Sequence, residues 1–118
     1  MRPRAAVAGA LAGALALVLA GCAGGQTEHH TITAALVQGK AGFDPATVTV
    51  HHGDTVDFTV LNTTDKTHGF SIQGYGITKL SDPSAGPLHV RFTAGKAGTY
   101  KIFCQLHPTH QTATLTVV

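Results

Sequence analysis

Three residues near the C-terminal end are of types that hold soft metal ions, and they fall within seven positions: Cys104, His107 and His110. They close a segment, residues 98–110, that reads Gly-Thr-Tyr-Lys-Ile-Phe-Cys-Gln-Leu-His-Pro-Thr-His. Read as a strand with side chains alternating between faces, it puts Tyr100, Ile102 and Cys104 together on the inward side and both histidines in the following loop. Thiolate and imidazole are poor ligands for calcium or magnesium and suit copper better. The gap between Cys104 and His107 lets a strand end and a tight loop reach one ion, and Pro108 stiffens that loop. Taken singly, each residue has a plainer reading: a cysteine ending a strand is a small buried hydrophobe, and a loop histidine is solvated. Their spacing favours a metal. Zinc accepts the same donors and would be redox-silent there.

The run Gly98-x-Tyr100-x-x-x-Cys104, followed by Cys-x-x-His, resembles the C-terminal signature of the cupredoxins, the small blue-copper proteins of amicyanin and plastocyanin type. Its loop, Cys104-Gln-Leu-His107-Pro-Thr-His110, is similar to the short amicyanin-type loop Cys-x-x-His-Pro-x-Met. The last position departs: His110 stands where the family carries its weak axial methionine, and the only methionine of the chain is Met1. Residues 43–56 also resemble the family's N-terminal half, Phe-x-Pro-x-x-ϕ-x-ϕ-x-x-Gly-Asp-x-Val, with ϕ apolar. Upstream, His68 is in phase with Phe70 and Ile72, so its ring points to the apolar side. A buried neutral imidazole needs a partner at both nitrogens, which a metal and a carbonyl would supply. The resemblance places the family's upstream histidine ligand at this point, and so implies His68, Cys104 and His107 around one copper of type 1 or perturbed type 1 character, with His110 as candidate fourth ligand. Thr67-His-Gly-Phe70 is also similar to the copper domain of cytochrome oxidase subunit II, but that binuclear centre needs two loop cysteines and this loop has one.

The elements that must position these residues read as strands. Gly, Val and Thr are abundant and charge is sparse, a composition for strands and turns. Residues 31–37 open a first strand and residues 39–45 form a turn-rich connection. Residues 47–50 and 55–60 alternate on either side of His51-His52-Gly53-Asp54, with Val48, Val50, Val56, Phe58 and Val60 sharing a buried face, as a pair that begins a sandwich. Residues 62–67 are a polar loop leading to a strand from His68. Residues 74–87 are an irregular excursion, with Ile77 and Leu80 packing back on the core. Residues 88–92 alternate again and leave His89 and Arg91 outside; residues 112–118 close the sheet with Leu115 and Val117 inward. The expectation is an all-β Greek-key sandwich of seven to eight strands. His29, His30, His51 and His52 read as solvated.

Residues 1–21 stand apart from this domain. Arg2 and Arg4 precede an apolar run over residues 5–20, too short for a comfortable membrane span, which reads as a signal peptide. Leu19-Ala-Gly-Cys22 resembles a bacterial lipobox, which implies lipidation of Cys22; an ordinary secretory signal is the plainer alternative. Residues 22–30 then form a flexible tether and residues 31–118 the domain. In an export compartment the solitary Cys104 would need protection, and metal ligation is one form of it. Beyond Arg2 and Arg4 the six remaining basic and six acidic side chains balance, so no basic patch argues for nucleic acid. The expected function is single-electron transfer by a copper monomer, lipid-anchored outside the cytoplasmic membrane and meeting a redox partner through an apolar patch. Copper storage or delivery to a membrane oxidase, and a red-copper catalytic site with an open position, are the alternatives.

Overall fold

The structure, a computed structural model, describes residues 25–118 and contains nine strands and no helix among them. In chain order these are β1 (Thr27–Val37), β2 (Lys40–Asp44), β3 (Thr47–Val50), β4 (Thr55–Asn62), β5 (His68–Ile72), β6 (Ile77–Ser81), β7 (Leu88–Thr93), β8 (Gly98–Phe103) and β9 (Ala113–Val117). They form a sandwich of two sheets, one ordered β2-β1-β4-β7 and the other β3-β9-β8-β5-β6. The all-β expectation holds. The signal peptide and Cys22 lie outside the described residues.

Several boundaries differ from the sequence reading, each for a physical reason. The first strand begins at Thr27, not at residue 31, so residues 27–30 are sheet instead of tether. They pair in parallel with β4, from Thr27↔Thr55 to His30↔Phe58. Polar side chains along this stretch hide its alternation, and Glu28 is held by His51 across the connection. Residues 40–44, expected within a turn, form β2, an antiparallel hairpin partner of β1. Within residues 74–87 lies β6, paired with β5; Ile77 does pack on the core, but Leu80 is exposed. β2 and β6 are the strands missing from the expected seven or eight.

β3 and β4 are not neighbours either. β3 runs parallel to β9 in one sheet, and β4 lies between β1 and β7 in the other. Both turn their apolar residues to the same interior from opposite sides, and alternation alone does not distinguish facing strands from adjacent ones. The connection between them crosses from sheet to sheet. It is pinned by backbone bonds from His52 to the Val118 carbonyl (2.8 Å) and from Gly53 to the Ala94 carbonyl (2.9 Å). Gly53 has φ of 88°, a left-handed conformation that glycine adopts without strain.

The interior is filled from both sheets by Val48, Val50, Val56, Phe58, Val60, Phe70, Ile72, Ile102, Leu115 and Val117, all buried as the alternation requires. Aromatic rings run through it edge to face: Phe58 meets Phe70 at 5.7 Å between centroids, and Phe70 meets Phe43 at 5.9 Å. Phe58 is wholly buried and also stacks on Phe92. Phe58→Ala is therefore expected to destabilise the fold by about 3–5 kcal/mol through lost burial and a residual cavity. Urea unfolding of the metal-free protein measures this, and a loss below about 1 kcal/mol would show that Phe58 is not central to the core.

Candidate metal centre

β5 and β8 are neighbours in the larger sheet, and their ladder stops at Ser71↔Phe103. Beyond that pair the chain continues as His68 on one side and Cys104 on the other, so side chains 36 positions apart arrive at the same end of the sandwich. His68, at the first residue of β5, is 4% exposed, Cys104 is 6% exposed and His110 is 5% exposed. Ligand atoms of these three lie within 4.8 Å of one another. His107 joins through the thiol: its Nδ1 is 3.5 Å from Cys104 Sγ, and its ring centroid is 5.2 Å from that of His68. It is half-buried, the most accessible of the four.

The loop is held in place from within and from the smaller sheet. The His110 backbone N–H donates to the His107 carbonyl at 3.0 Å, closing a turn over Pro108, and the Gln111 N–H donates to the Ala41 carbonyl of β2 at 2.9 Å. The His110 ring packs on Phe43 of β2 at 4.5 Å and on His68 at 4.9 Å. Its Nδ1 donates to the Gln111 carbonyl at 2.9 Å, which sets the tautomer and leaves Nε2 as a bare lone pair.

Unpartnered ring nitrogens are the test of fit. His68 Nδ1 and His110 Nε2 are buried without a hydrogen-bond partner, a condition the great majority of buried polar atoms avoid. Both belong to the group clustered with the thiol. The fourth side chain, His107, brings a nitrogen to the same sulfur. Three imidazoles and a thiol, with two nitrogens aimed at nothing else, suit a soft or borderline ion such as copper, and zinc by the same donors. Burial holds the His68 imidazole below its ordinary value, reinforced by the nearby His110 and His107. For His110, burial again lowers it, and the hydrogen bond to Gln111 opposes only in part.

A second grouping of ligand-type side chains, Glu28, His51 and Asp54, behaves differently. It lies at the other end of the sandwich, where β1 and β4 begin. Glu28 accepts hydrogen bonds from the His51 backbone (2.7 Å), from His51 Nδ1 (3.0 Å) and from His30 Nε2 (3.2 Å), and Asp54 accepts from the Gln26 N–H. Burial alone would raise the Glu28 carboxyl; these bonds outweigh it and bring it down to about 2. Its donors and acceptors are engaged with each other, which is a staple between β1 and the β3–β4 crossing.

Sequence reasoning named all four side chains that meet here. It missed Gly69, whose backbone N–H donates to Cys104 Sγ at 3.1 Å, and Phe43 as the wall behind His110. A glycine following a ligand-type histidine inside an apolar strand was the available signal for the first.

The family model described as the cupredoxin-like domain matches residues 9–117. No curated protein matches the sequence. Among solved structures, the metal-binding domain of the Cu(I)-exporting P-type ATPase of Streptococcus pneumoniae D39, with Cu(I), superposes with a TM-score of 0.66 at 20% identity, over 78% of this chain and 86% of that one. Auracyanin A, a "blue" copper protein of Chloroflexus aurantiacus, gives 0.59 at 19%, over 78% and 99%. A heme-copper terminal oxidase gives 0.61 at 19%, over 76% of this chain and 65% of the oxidase chain, just under two thirds of its length. At these identities the likeness speaks to the fold.

Because the His68 and His110 imidazoles are held below their ordinary value, they favour the neutral form in the folded protein. The stability they contribute is present above the unfolded value of about 6.5 and is lost as pH falls through the lowered folded values. The metal-free protein should melt progressively lower as pH falls below about 6.5. His110→Leu should flatten that slope, and an unchanged slope would show that His110 does not carry it.

Proposed function

We propose that this chain, which belongs to the cupredoxin-like family, is a mononuclear copper protein that carries single electrons outside the cytoplasmic membrane. The observation carrying this reading is the pair of buried, partnerless nitrogens, His68 Nδ1 and His110 Nε2, clustered with the Cys104 thiol. When bound, copper would supply a one-electron Cu(II)/Cu(I) couple.

The chain's own residues divide the remaining work. Cys104 gives the soft donor, and His68 and His107 the borderline ones. Burial of His68, Cys104 and His110 keeps water from the donors and holds them in one arrangement, so little needs to move when charge changes. His107 is half-buried next to exposed Leu106, which makes its ring edge the shortest way out for an electron and gives an apolar partner somewhere to touch. An imidazole at residue 110 is a stronger donor than the thioether it replaces, which favours the oxidised ion and lowers the reduction potential.

The same burial weighs against the other readings. A delivery protein must release its ion, and three of four donors sit at or below 6% exposure. A catalytic site needs an open position, and here a fourth donor closes the set.

The proposed location rests on the sequence of residues 1–22 and gains one geometric consequence. With β1 beginning at Thr27, only residues 23–26 separate Cys22 from the sheet. That strand enters beside the start of β4, whereas the metal donors gather past its far end; β4 spans eight residues, or about 25 Å. A lipid on Cys22 would thus hold the domain close to the membrane with His107 facing away from it.

Visible and EPR spectra of the copper-loaded protein test the reading, together with its His110→Met variant. The parent should bind one copper and show a perturbed, green or red-tinged thiolate spectrum. The variant should turn intense blue, and its potential should rise. An intense blue parent with an unchanged variant would remove His110 from the donor set, and failure of the parent to bind copper would overturn the function.

A further inference from the structure

Beyond Ser71↔Phe103 the β5–β8 ladder gives way to a side chain. Gln105, which follows the thiol, lies across Gly69: its Oε1 accepts from Ser71 Oγ at 2.7 Å, and its Nε2 donates to the Lys79 carbonyl of β6 at 2.9 Å. One amide therefore bridges two strands beyond β8. It does so only because Gly69 has no side chain; a Cβ there would overlap the Gln105 amide. Gly69 is also the residue whose N–H donates to Cys104 Sγ. Gly69 is in register with Leu80 of β6, so the strand carrying that N–H is joined to β6 by the ladder and by the Gln105 amide. Ser71 is buried, with its hydroxyl committed to this bridge.

We propose that Gln105 is a positioning residue: its side-chain amide, seated in the space left by Gly69 and fastened to Ser71 and Lys79, fixes the Gly69 N–H onto the Cys104 sulfur and so tunes the donor strength of the thiolate. A sulfur that accepts an N–H bond is a weaker donor, and hydrogen bonding around the cysteine sulfur adjusts the potential of a copper–thiolate site. Loss of the bridge lets the strand end and the loop separate, the N–H···S bond lengthens, and the sulfur becomes a stronger donor that favours the oxidised ion. The Gln105 bridge bears on the copper reading but is visible without copper, because its first effect is on an amide.

Gln105→Ala removes the bridge and the bulk over Gly69; Gln105→Met keeps the bulk and removes both hydrogen bonds. Ser71→Ala removes one bond and serves if the Gln105 variants do not fold. In the metal-free protein, hydrogen exchange at the Gly69 amide should quicken about tenfold in Gln105→Ala and in Gln105→Met, as expected for the loss of about one hydrogen bond's net stability. Exchange at Phe58 and Leu115, deep in the sandwich, should stay unchanged. In the copper-loaded variants the potential should fall and the thiolate band should shift. Unchanged Gly69 exchange would overturn the proposal, as would recovery of the parent exchange and spectrum in Gln105→Met, since bulk alone would then suffice. If the parent binds no copper while Gly69 exchange responds as stated, the bridge stands and the proposed function falls.

Discussion

The structure depends on keeping imidazole nitrogens and a thiol dry at one end of an apolar sandwich without giving the nitrogens partners. A buried polar atom left unpaired costs about 1–3 kcal/mol, and here two such atoms, His68 Nδ1 and His110 Nε2, sit together. Such a concentration of unmet bonding has to be carried by the rest of the molecule. The interior answers with aromatic packing that runs from the loop to the middle of the core: His110 on Phe43, Phe43 on Phe70, Phe70 on Phe58. The strained end is thus attached to the part of the fold with the most apolar surface out of water.

The architecture brings the donors together by ending a ladder. β5 and β8 share few paired positions before they part; past the last pair Cys104 follows Phe103 directly and His68 lies at the first residue of β5. The other two donors follow Cys104 in a loop tied back to β2, a strand of the opposite sheet, through the Gln111–Ala41 bond and Phe43. Both sheets therefore contribute to the centre. Its rigidity is that of the sandwich, and not that of the loop alone.

Much of this was legible in the sequence. Alternation named the buried residues from Val48 to Val60 and from Ile102 to Val117, because side-chain direction in a strand follows from period two alone. The convergence of four side chains was legible because Cys104, His107 and His110 are close in the chain and His68 is in phase with an apolar strand. What escaped depends on neighbours in space. β2 and the first residues of β1 carry glycine, lysine and histidine, so they look like linker until a partner strand satisfies their backbone. That β3 and β4 face each other across the core, instead of lying side by side, is invisible to periodicity. The roles of Gly69 and Gln105 appear only when β5, β6 and the loop are set together.

The two ends of the sandwich show why residue type alone does not make a metal site. Glu28, His51 and Asp54 are as plausible a donor set by composition as His68, Cys104 and His110, and both groups converge in space. At the first end each acceptor already has a donor, and Glu28 is a stable anion between two histidines and a backbone amide, satisfied as it stands. At the second end His68 Nδ1 and His110 Nε2 have no hydrogen-bond partner. An ion entering the first cluster would have to displace hydrogen bonds whose loss offsets its own binding, whereas an ion entering the second displaces none from His68 Nδ1 or His110 Nε2. The difference in hydrogen-bond satisfaction, more than the choice of histidine, cysteine or carboxylate, separates a cluster that holds strands together from one that is a candidate to hold a metal.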